Sequence, residues 1–155
     1  MKRKEGKGMP SGMHQAEVDL PIHKVWDFVK DMDNWAPLIP GYIHHRKFTN
    51  RQSIWEFYSD IGLIKKKISL MVTIIEWMEP TKVTFSLKGE KGKLSGSGYY
   101  LAEAIDKNRT RITGFLDITA SGTLGAMVNE ILKSYLPKTT KEMVIAITRK
   151  LEELN

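Results

Sequence analysis

The apolar residues of this chain change their spacing along the sequence, and this change constrains the fold more than any other feature. Between residues 42 and 120, apolar and polar positions alternate, β-branched and aromatic residues are frequent, and turn-forming residues interrupt the pattern repeatedly. Alternation with regular turn signals predicts six consecutive antiparallel strands. Residues 13–20 alternate in the same way and predict one more strand ahead of these six.

Helical spacing follows the first predicted strand. The apolar residues of 22–29 recur at i, i+3, i+4 and i+7, which predicts a short amphipathic helix with Pro21 in its first turn. Asp33 can cap a second short turn over residues 34–38, before Pro40-Gly41 ends it. We therefore expect two small helices between the first strand and the next.

Helical spacing returns after Gly122 and continues to the end of the sequence. The large apolar side chains of residues 124–135 and 143–154 fall on one stripe, which predicts a terminal helical region of about 30 residues. Pro137 lies inside this region. A proline removes one backbone hydrogen bond, so it predicts either a kink or a break into two helices.

The order of these elements predicts an α+β domain with a single antiparallel sheet of seven strands. Such a sheet twists and curls. If it wraps around the terminal helix, part of its concave face stays uncovered and becomes a pocket lined by inward side chains. The strand at 68–78 is apolar on both faces, so a helix or a partner subunit is expected to cover one of them, and a homodimer stays open.

The candidate pocket residues are the aromatic, aliphatic and methionine side chains that alternation and helical spacing direct inward. Some are expected to be plain core, whereas methionine can adapt to a ligand and tyrosine or tryptophan can supply a polar contact. The candidates are Trp35, Tyr42, Trp55, Phe57, Met71, Phe85, Leu87, Tyr100, Leu116, Met127, Ile131 and Tyr135.

Several kinds of chemistry find no support in the sequence. The chain has no cysteine, which excludes disulfides and thiolate catalysis. Its four histidines show none of the spacings typical of metal ligands, and His44 and His45 are expected to face opposite sides of a strand. No metal, cofactor or catalytic residue is therefore predicted.

Two polar features have simpler explanations than catalysis. Ser97 lies between Gly96 and Gly98 on a predicted strand, where glycines allow curvature or close packing. General acid–base chemistry would need a carboxylate or histidine held in an apolar site. Asp117 is such a candidate, but its place in the alternating pattern predicts that it faces water.

The net charge of +6 comes largely from the first residues of the chain. Residues 1–12 are predicted to be a flexible basic tail and residues 13–155 a single domain. Contact of this tail with an anionic membrane stays open. Lys65, Lys66 and Lys67 alternate between two faces without an aromatic platform, so nucleic acid is not an expected partner. No apolar run could span a bilayer or act as a secretory signal, which favours the cytoplasm.

Three short motifs early in the chain resemble the beginning of START-like proteins of the Bet v 1 and polyketide cyclase type. They are Val18-Asp19-Leu20-Pro21, Val25-Trp26-Asp27-Phe28 and Pro40-Gly41. The resemblance implies a helix-grip fold, in which the curved sheet wraps around the long C-terminal helix. It also implies an internal cavity for lipids, quinones, polyketides or similar molecules, and no catalytic set.

Further motifs extend the resemblance toward the CoxG-like branch of the same superfamily, whose members are associated with carbon monoxide dehydrogenase. They are Ile61-Gly62-Leu63-Ile64, Pro80, the strand at 94–98 and Gly122. The leading hypothesis is thus a non-enzymatic protein that binds or carries a small hydrophobic molecule. Two alternatives stay open: a cyclase-like, aromatase-like or hydrolase-like enzyme that uses the same cavity, and an accessory or interaction module of the CoxG-like kind.

Overall fold

The computed structural model describes residues 10–61 and 64–155 and shows a curved antiparallel sheet with a long C-terminal helix. The seven strands lie in the spatial order β1-β7-β6-β5-β4-β3-β2, so the two edges are β1 and β2. This arrangement confirms the predicted α+β helix-grip fold. The elements are β1 (Ser11–Val18), α1 (Ile22–Val29), α2 (Met32–Trp35), β2 (Tyr42–Lys47), β3 (Gln52–Ile61), β4 (Ile64–Met78), β5 (Lys82–Gly89), β6 (Leu94–Asp106), β7 (Arg109–Ala120) and α3 (Gly125–Leu154).

The N-terminal elements begin slightly earlier than their patterns suggest. β1 starts at Ser11 and Pro10 is fully buried, while residues 1–9 of the predicted tail lie outside the described residues. Helix α2 is capped by Asp31 rather than by Asp33, since the Asp31 carboxylate accepts a hydrogen bond from the backbone N–H of Asp33 at 3.0 Å. A 3₁₀ turn over Ala36–Leu38 continues α2.

Helix α3 runs through Pro137 without a break, which excludes the predicted alternative of two separate helices. The proline is exposed, whereas Leu136 before it and Thr139 and Thr140 after it are buried. Packing on both sides of the proline therefore outweighs the loss of one backbone hydrogen bond, in line with the general dependence of helices on tertiary contacts.

Two glycines fix the position of α3 over β1 and β7, at one edge of the sheet. A Cβ atom on Gly12 would collide with the backbone carbonyl of Leu136, and one on Gly114 would lie 2.8 Å from Cγ2 of Val144. Both strands can approach the helix closely only because these positions carry no side chain. The helix is thereby held near one edge and away from the centre of the sheet.

A tightly packed apolar cluster joins this helix to α1. Its residues are buried and come from β1, α1, β7 and the C-terminal half of α3. We call it the basal core, and it consists of Val18, Val25, Phe28, Val29, Ile112, Ile147 and Leu151.

Strand β4 departs from simple alternation. The sequence pattern places Trp77 on the face opposite Ile74, but this is wrong, because the register between β4 and β5 shifts between Ile74 and Glu76. Such a bulge moves the following residues to the other face. Trp77 therefore packs in the same cluster as Ile74, with its ring 6.0 Å from the ring of Trp26 and perpendicular to it. Ile75 is left 58% exposed.

Candidate functional site

The concave face of the sheet holds a second buried cluster, centred on Trp55. We call it the pocket cluster, and its buried residues are Met32, Ala36, Trp55, Val72 and Leu87. The indole N–H of Trp55 donates to Oγ of Ser53 at 2.7 Å, so this buried polar group has a partner. Trp35 packs against the Trp55 ring at 5.5 Å and donates its own indole N–H to the carbonyl of Val29.

A third cluster lies on the N-terminal half of α3, around the buried residues Leu132 and Leu136. Leu116 and Ile118 of β7 contact both this cluster and the pocket cluster. Inward residues between two apolar layers would be fully buried if the space between the layers were filled. They are only half-buried, which indicates an opening between the two clusters.

Of the half-buried apolar residues of these two clusters, we assign six to the opening. We call the space that they border the inner pocket. They are Phe57 of β3, Phe85 of β5, Leu116 and Ile118 of β7, and Ile131 and Tyr135 of α3.

Strand β6 contributes glycines where it crosses beneath this space. Leu116 pairs across the sheet with Gly98 on one side and Gly12 on the other, so neither neighbour fills the space beside it. A Cβ on Gly98 would meet the Phe85 ring, and one on Gly96 would collide with the backbone oxygen of Asp117. The glycines therefore serve close packing, as the sequence predicts.

The structure brings most of the predicted pocket residues together. Trp35, Tyr42, Trp55, Phe57, Phe85, Leu87 and Leu116 pack in or against the pocket cluster, and Ile131 and Tyr135 pack with α3 on the other side of the opening. Tyr100 lies farther along β6, between the basal core and the cluster of Trp26, Ile74 and Val83.

Two of the predicted residues lie elsewhere. Met127 is 46% exposed near the beginning of α3. Met71 lies on the convex face of the sheet, because it is opposite Ile54 and Lys88 rather than opposite Trp55. There it borders an open groove of about 590 Å³, whose other lining residues include His44 and Glu56.

A chain of polar side chains lies beside the pocket cluster, and sequence analysis did not find it. His45 Nδ1 is 2.7 Å from the Tyr42 hydroxyl, and His45 Nε2 is 2.6 Å from Oδ1 of Asp33. Asp33 Oδ2 also accepts a hydrogen bond from Lys47 Nζ at 3.0 Å. The His45 ring is 5.1 Å from the ring of Trp55, and its side chain is only 10% exposed.

A register shift in β2 makes this contact possible. In a regular strand, residues three apart face opposite sides, but the pairing of β2 with β3 is irregular between Tyr42 and His44. Tyr42 and His45 therefore lie on the same face. His44 lies on the convex face, where its Nε2 is 2.8 Å from Glu56, so the prediction that the two histidines face opposite sides is confirmed.

The charges at the outer end of this chain determine where its protons lie. Hydrogen bonds from His45 and Lys47 hold the pKa of Asp33 below its ordinary value, and the bond to Asp33 raises the pKa of Lys47. Asp33 is therefore ionised at neutral pH and can only accept hydrogen bonds. The contact with this carboxylate is a hydrogen bond when His45 Nε2 carries the proton, and in that tautomer Nδ1 can accept the Tyr42 O–H.

Two further partly or fully buried polar groups lie on the sheet, the Tyr100 hydroxyl on its concave face and the Asp117 carboxylate on its convex face. The Tyr100 hydroxyl is buried and has no hydrogen-bond partner among residues 10–61 and 64–155, and burial raises the pKa of this phenol. Asp117 lies on the convex face, opposite the inward Leu116 and Ile118 as its place in the pattern predicts, and it is half-buried there. It accepts hydrogen bonds from the backbone N–H and the hydroxyl of Ser97, at 3.1 and 3.0 Å.

The sheet, the terminal helix and the opening between them define a helix-grip α+β protein. A protein-family model matches residues 9–152, and no curated protein matches the sequence. The chain belongs to the START-like, Bet v 1-like superfamily. Within the described ranges, no helix is long and apolar enough to cross a membrane.

Solved structures share this fold over almost the whole chain. A conserved protein from Geobacillus kaustophilus has a TM-score of 0.78 at 15% identity, with 92% of this chain and 95% of that chain covered. The Zhui aromatase/cyclase from Streptomyces sp. R1128 has a TM-score of 0.72 at 15% identity, with 94% of each covered. A START superfamily protein from Mycobacterium smegmatis has a TM-score of 0.70 at 13% identity, with 94% and 99% covered.

Proposed function

We propose that this protein binds a small hydrophobic molecule in the inner pocket and carries it without chemical turnover. The observation that carries the proposal is the half-burial of the six inward apolar residues between two fully buried clusters. Apolar side chains inside the fold that still contact water favour ligand binding. A ligand that covers them gains about 25 cal/mol of binding free energy for each Å² of apolar surface removed from water.

The composition of the walls indicates the shape of the ligand. Phe57 and Trp55 stack with their ring planes 25° apart, and the Phe85 ring lies so close to β6 that a Cβ at position 98 would collide with it. Flat aromatic walls favour a planar or ring-containing molecule. One of the solved structures with this fold is an aromatase/cyclase, a name that fits a ring-containing ligand and supports the proposal. The absence of cysteine from the sequence supports a cytoplasmic location.

Native mass spectrometry of the purified protein tests whether a molecule co-purifies with it, and organic extraction then identifies that molecule. A reproducible adduct that organic solvent removes is the expected result. A protein of bare sequence mass from several expression hosts, with no probe uptake in the next experiment, would favour an interaction module instead.

Filling the pocket from within supplies the decisive variant. We expect Leu116→Trp to weaken binding of the fluorescent probe 8-anilinonaphthalene-1-sulfonate at least about tenfold, which corresponds to about 1.4 kcal/mol, because the indole occupies the opening. Leu154→Trp makes the same change at a residue that is 59% exposed at the end of α3 and should bind the probe as the wild type does. Equal affinities in the two variants would place the probe outside the inner pocket.

A further inference from the structure

We propose that Tyr42, His45 and Asp33 form a proton relay through which the inner pocket takes up a weakly acidic aromatic alcohol and holds it as the anion. This inference rests on the proposed function, because it assigns a ligand class to the same pocket. In it, Tyr42 touches the ligand, and His45 and Asp33 are positioning residues that act through Tyr42.

The three side chains connect solvent with the apolar interior. Asp33 lies at the outer end, with 53% of its side chain exposed. His45 is almost fully enclosed between Asp33, Tyr42 and the Trp55 ring. Tyr42 is half-buried, packs against the pocket cluster, and meets Trp55 edge-on at 6.5 Å. Of these three side chains, Tyr42 is therefore the one that a molecule in the inner pocket can contact.

The proton positions leave Tyr42 ready to accept a hydrogen bond. In the His45 tautomer with the proton on Nε2, the Tyr42 O–H donates to Nδ1 and the Nε2–H donates to the ionised Asp33. The phenolic oxygen keeps lone pairs for an incoming donor. A ligand that carries its own hydroxyl satisfies this acceptor, whereas a ligand without a donor leaves it unsatisfied in an apolar site.

The proton transfer involves only the ligand, Tyr42 and His45 and needs no other reactant. The ligand O–H bond breaks and its proton bonds to the Tyr42 oxygen, while the original Tyr42 proton moves to Nδ1 of His45. The products are a ligand anion and a His45 imidazolium that is paired with Asp33. The imidazolium has two carboxylates near it, from Asp33 of α2 and from Asp31, which caps α2. Lys47 of β2 forms ion pairs with both carboxylates, and the uncharged Trp55 ring of β3 packs against the imidazole.

A purely structural contact between α2 and β2 does not require this arrangement. Lys47 already joins β2 to Asp31 and Asp33 at 3.7 and 3.0 Å. The additional histidine is enclosed beside Trp55, and its second nitrogen faces a phenol of the pocket wall rather than another surface group. The contact between His45 and Tyr42 therefore extends this row of polar side chains to the pocket cluster.

The test compares two probes, 7-hydroxycoumarin, whose neutral and anionic forms absorb differently, and 7-methoxycoumarin, which has no acidic proton. In the wild type, we expect bound 7-hydroxycoumarin to have an anion-to-neutral ratio about tenfold higher than in Tyr42→Phe at the same pH, which equals one pKa unit. His45→Gln should reduce the anion fraction similarly, and Asp33→Asn less. Matched controls are Tyr58→Phe and His44→Gln, which alter an exposed tyrosine and the histidine on the convex face.

The methoxy probe separates failure of the relay from failure of the pocket. If 7-methoxycoumarin binds all variants equally but Tyr42→Phe leaves the anion fraction of the hydroxy probe unchanged, the relay is overturned and the proposed function stands. If neither probe binds the wild type, the pocket and the relay are both overturned. Retained methoxy binding in Tyr42→Phe and in His45→Gln also shows that these variants fold.

Discussion

The basal core and the inner pocket lie on the same sheet, yet they are packed in opposite ways. In the basal core, every member is buried where β1, α1, β7 and α3 meet. Around the inner pocket, equally apolar residues of β3, β5, β7 and α3 remain half-buried. The difference teaches that stability and binding capacity occupy separate regions, so one can change while the other is kept.

The separation has a simple structural cause. The close contacts at Gly12 and Gly114 bind α3 to the β1–β7 edge, and α1 then fills the remaining space near Ile147 and Leu151. The central strands contact α2 and the 3₁₀ turn that follows it through the pocket cluster. No element of comparable size covers the region between Phe85 and Leu116 in the described part of the chain.

The largest effect is expected where a buried leucine is truncated in the basal core. Leu151→Ala should lower the free energy of unfolding by about 2–5 kcal/mol, because it leaves a cavity in a closely packed cluster. Leu116→Ala should cost less than about 2 kcal/mol, since this side chain already borders open space. Urea denaturation measures both values. Equal losses in the two variants would break the comparison.

A second, smaller loss is expected at the close contact between β1 and α3. Gly12→Ala should cost about 1–3 kcal/mol, because the new methyl group has to displace the backbone of the helix at Leu136. The neighbouring exposed residue provides the control, since Ser11→Ala should change stability by no more than about 0.5 kcal/mol. If Gly12→Ala is as stable as Ser11→Ala, the glycine does not hold α3 at this edge.

Tyr100 packs between the basal core and the cluster of Trp26, Ile74 and Val83, and its variant should change stability in the opposite direction. Tyr100→Phe removes a buried hydroxyl that lacks a partner in the described ranges, so the ligand-free protein should gain up to about 1 kcal/mol. Tyr99→Phe, on the opposite face of the same strand, should have almost no effect. A clear loss of thermal stability in Tyr100→Phe would show that its hydroxyl is bonded in the resting protein.

The smallest effect is expected at Asp33, at the outer end of the relay. Its pKa is lowered in the folded protein, so its ionised form contributes stability above the unfolded value of about 3.9, and this contribution is lost as the pH falls through the lower folded pKa. Because the side chain is half exposed, Asp33→Asn should cost less than about 1 kcal/mol at pH 7.

The difference in urea midpoint between the wild type and Asp33→Asn should shrink as the pH falls below about 4. Asp27→Asn removes another exposed carboxylate, one that contacts Lys30 at 3.4 Å, and controls for the change in net charge. A midpoint difference that is independent of pH would show that Asp33 does not act through its charge.

The sequence predicted the fold well because the two periods differ clearly. Alternation between 42 and 120 gave six strands, and the stripe from Leu124 onward gave a helix whose length the structure confirms. Whether Pro137 would break that helix could not be predicted, since the answer depends on burial of Leu136 and Thr140 by other elements. The face predicted for Trp77 was wrong, because a β-bulge cannot be recognised within a continuous run of apolar residues.

The pocket wall was predicted more fully than the polar chain beside it. Phe57, Phe85 and Leu116 follow from alternation alone, whereas Met71 shows that alternation without a known inner face cannot choose a side. Asp33 and His45 lie twelve positions apart on different elements, so their contact depends on how α2 returns to the edge strand. The sequence feature that came closest to indicating this contact was a short polar helix followed by a tyrosine and two histidines.

The irregularity in β2 has a consequence for tracing this chemistry through evolution. A phenol and an imidazole meet here because of a count of residues rather than their identity. A regular strand that kept Ile43 would turn the two groups to opposite sides, whereas deleting Ile43 would leave them two positions apart and on the same face. Homologues that keep this spacing but have a regular strand should therefore lack the contact, so spacing and bulge have to be compared together.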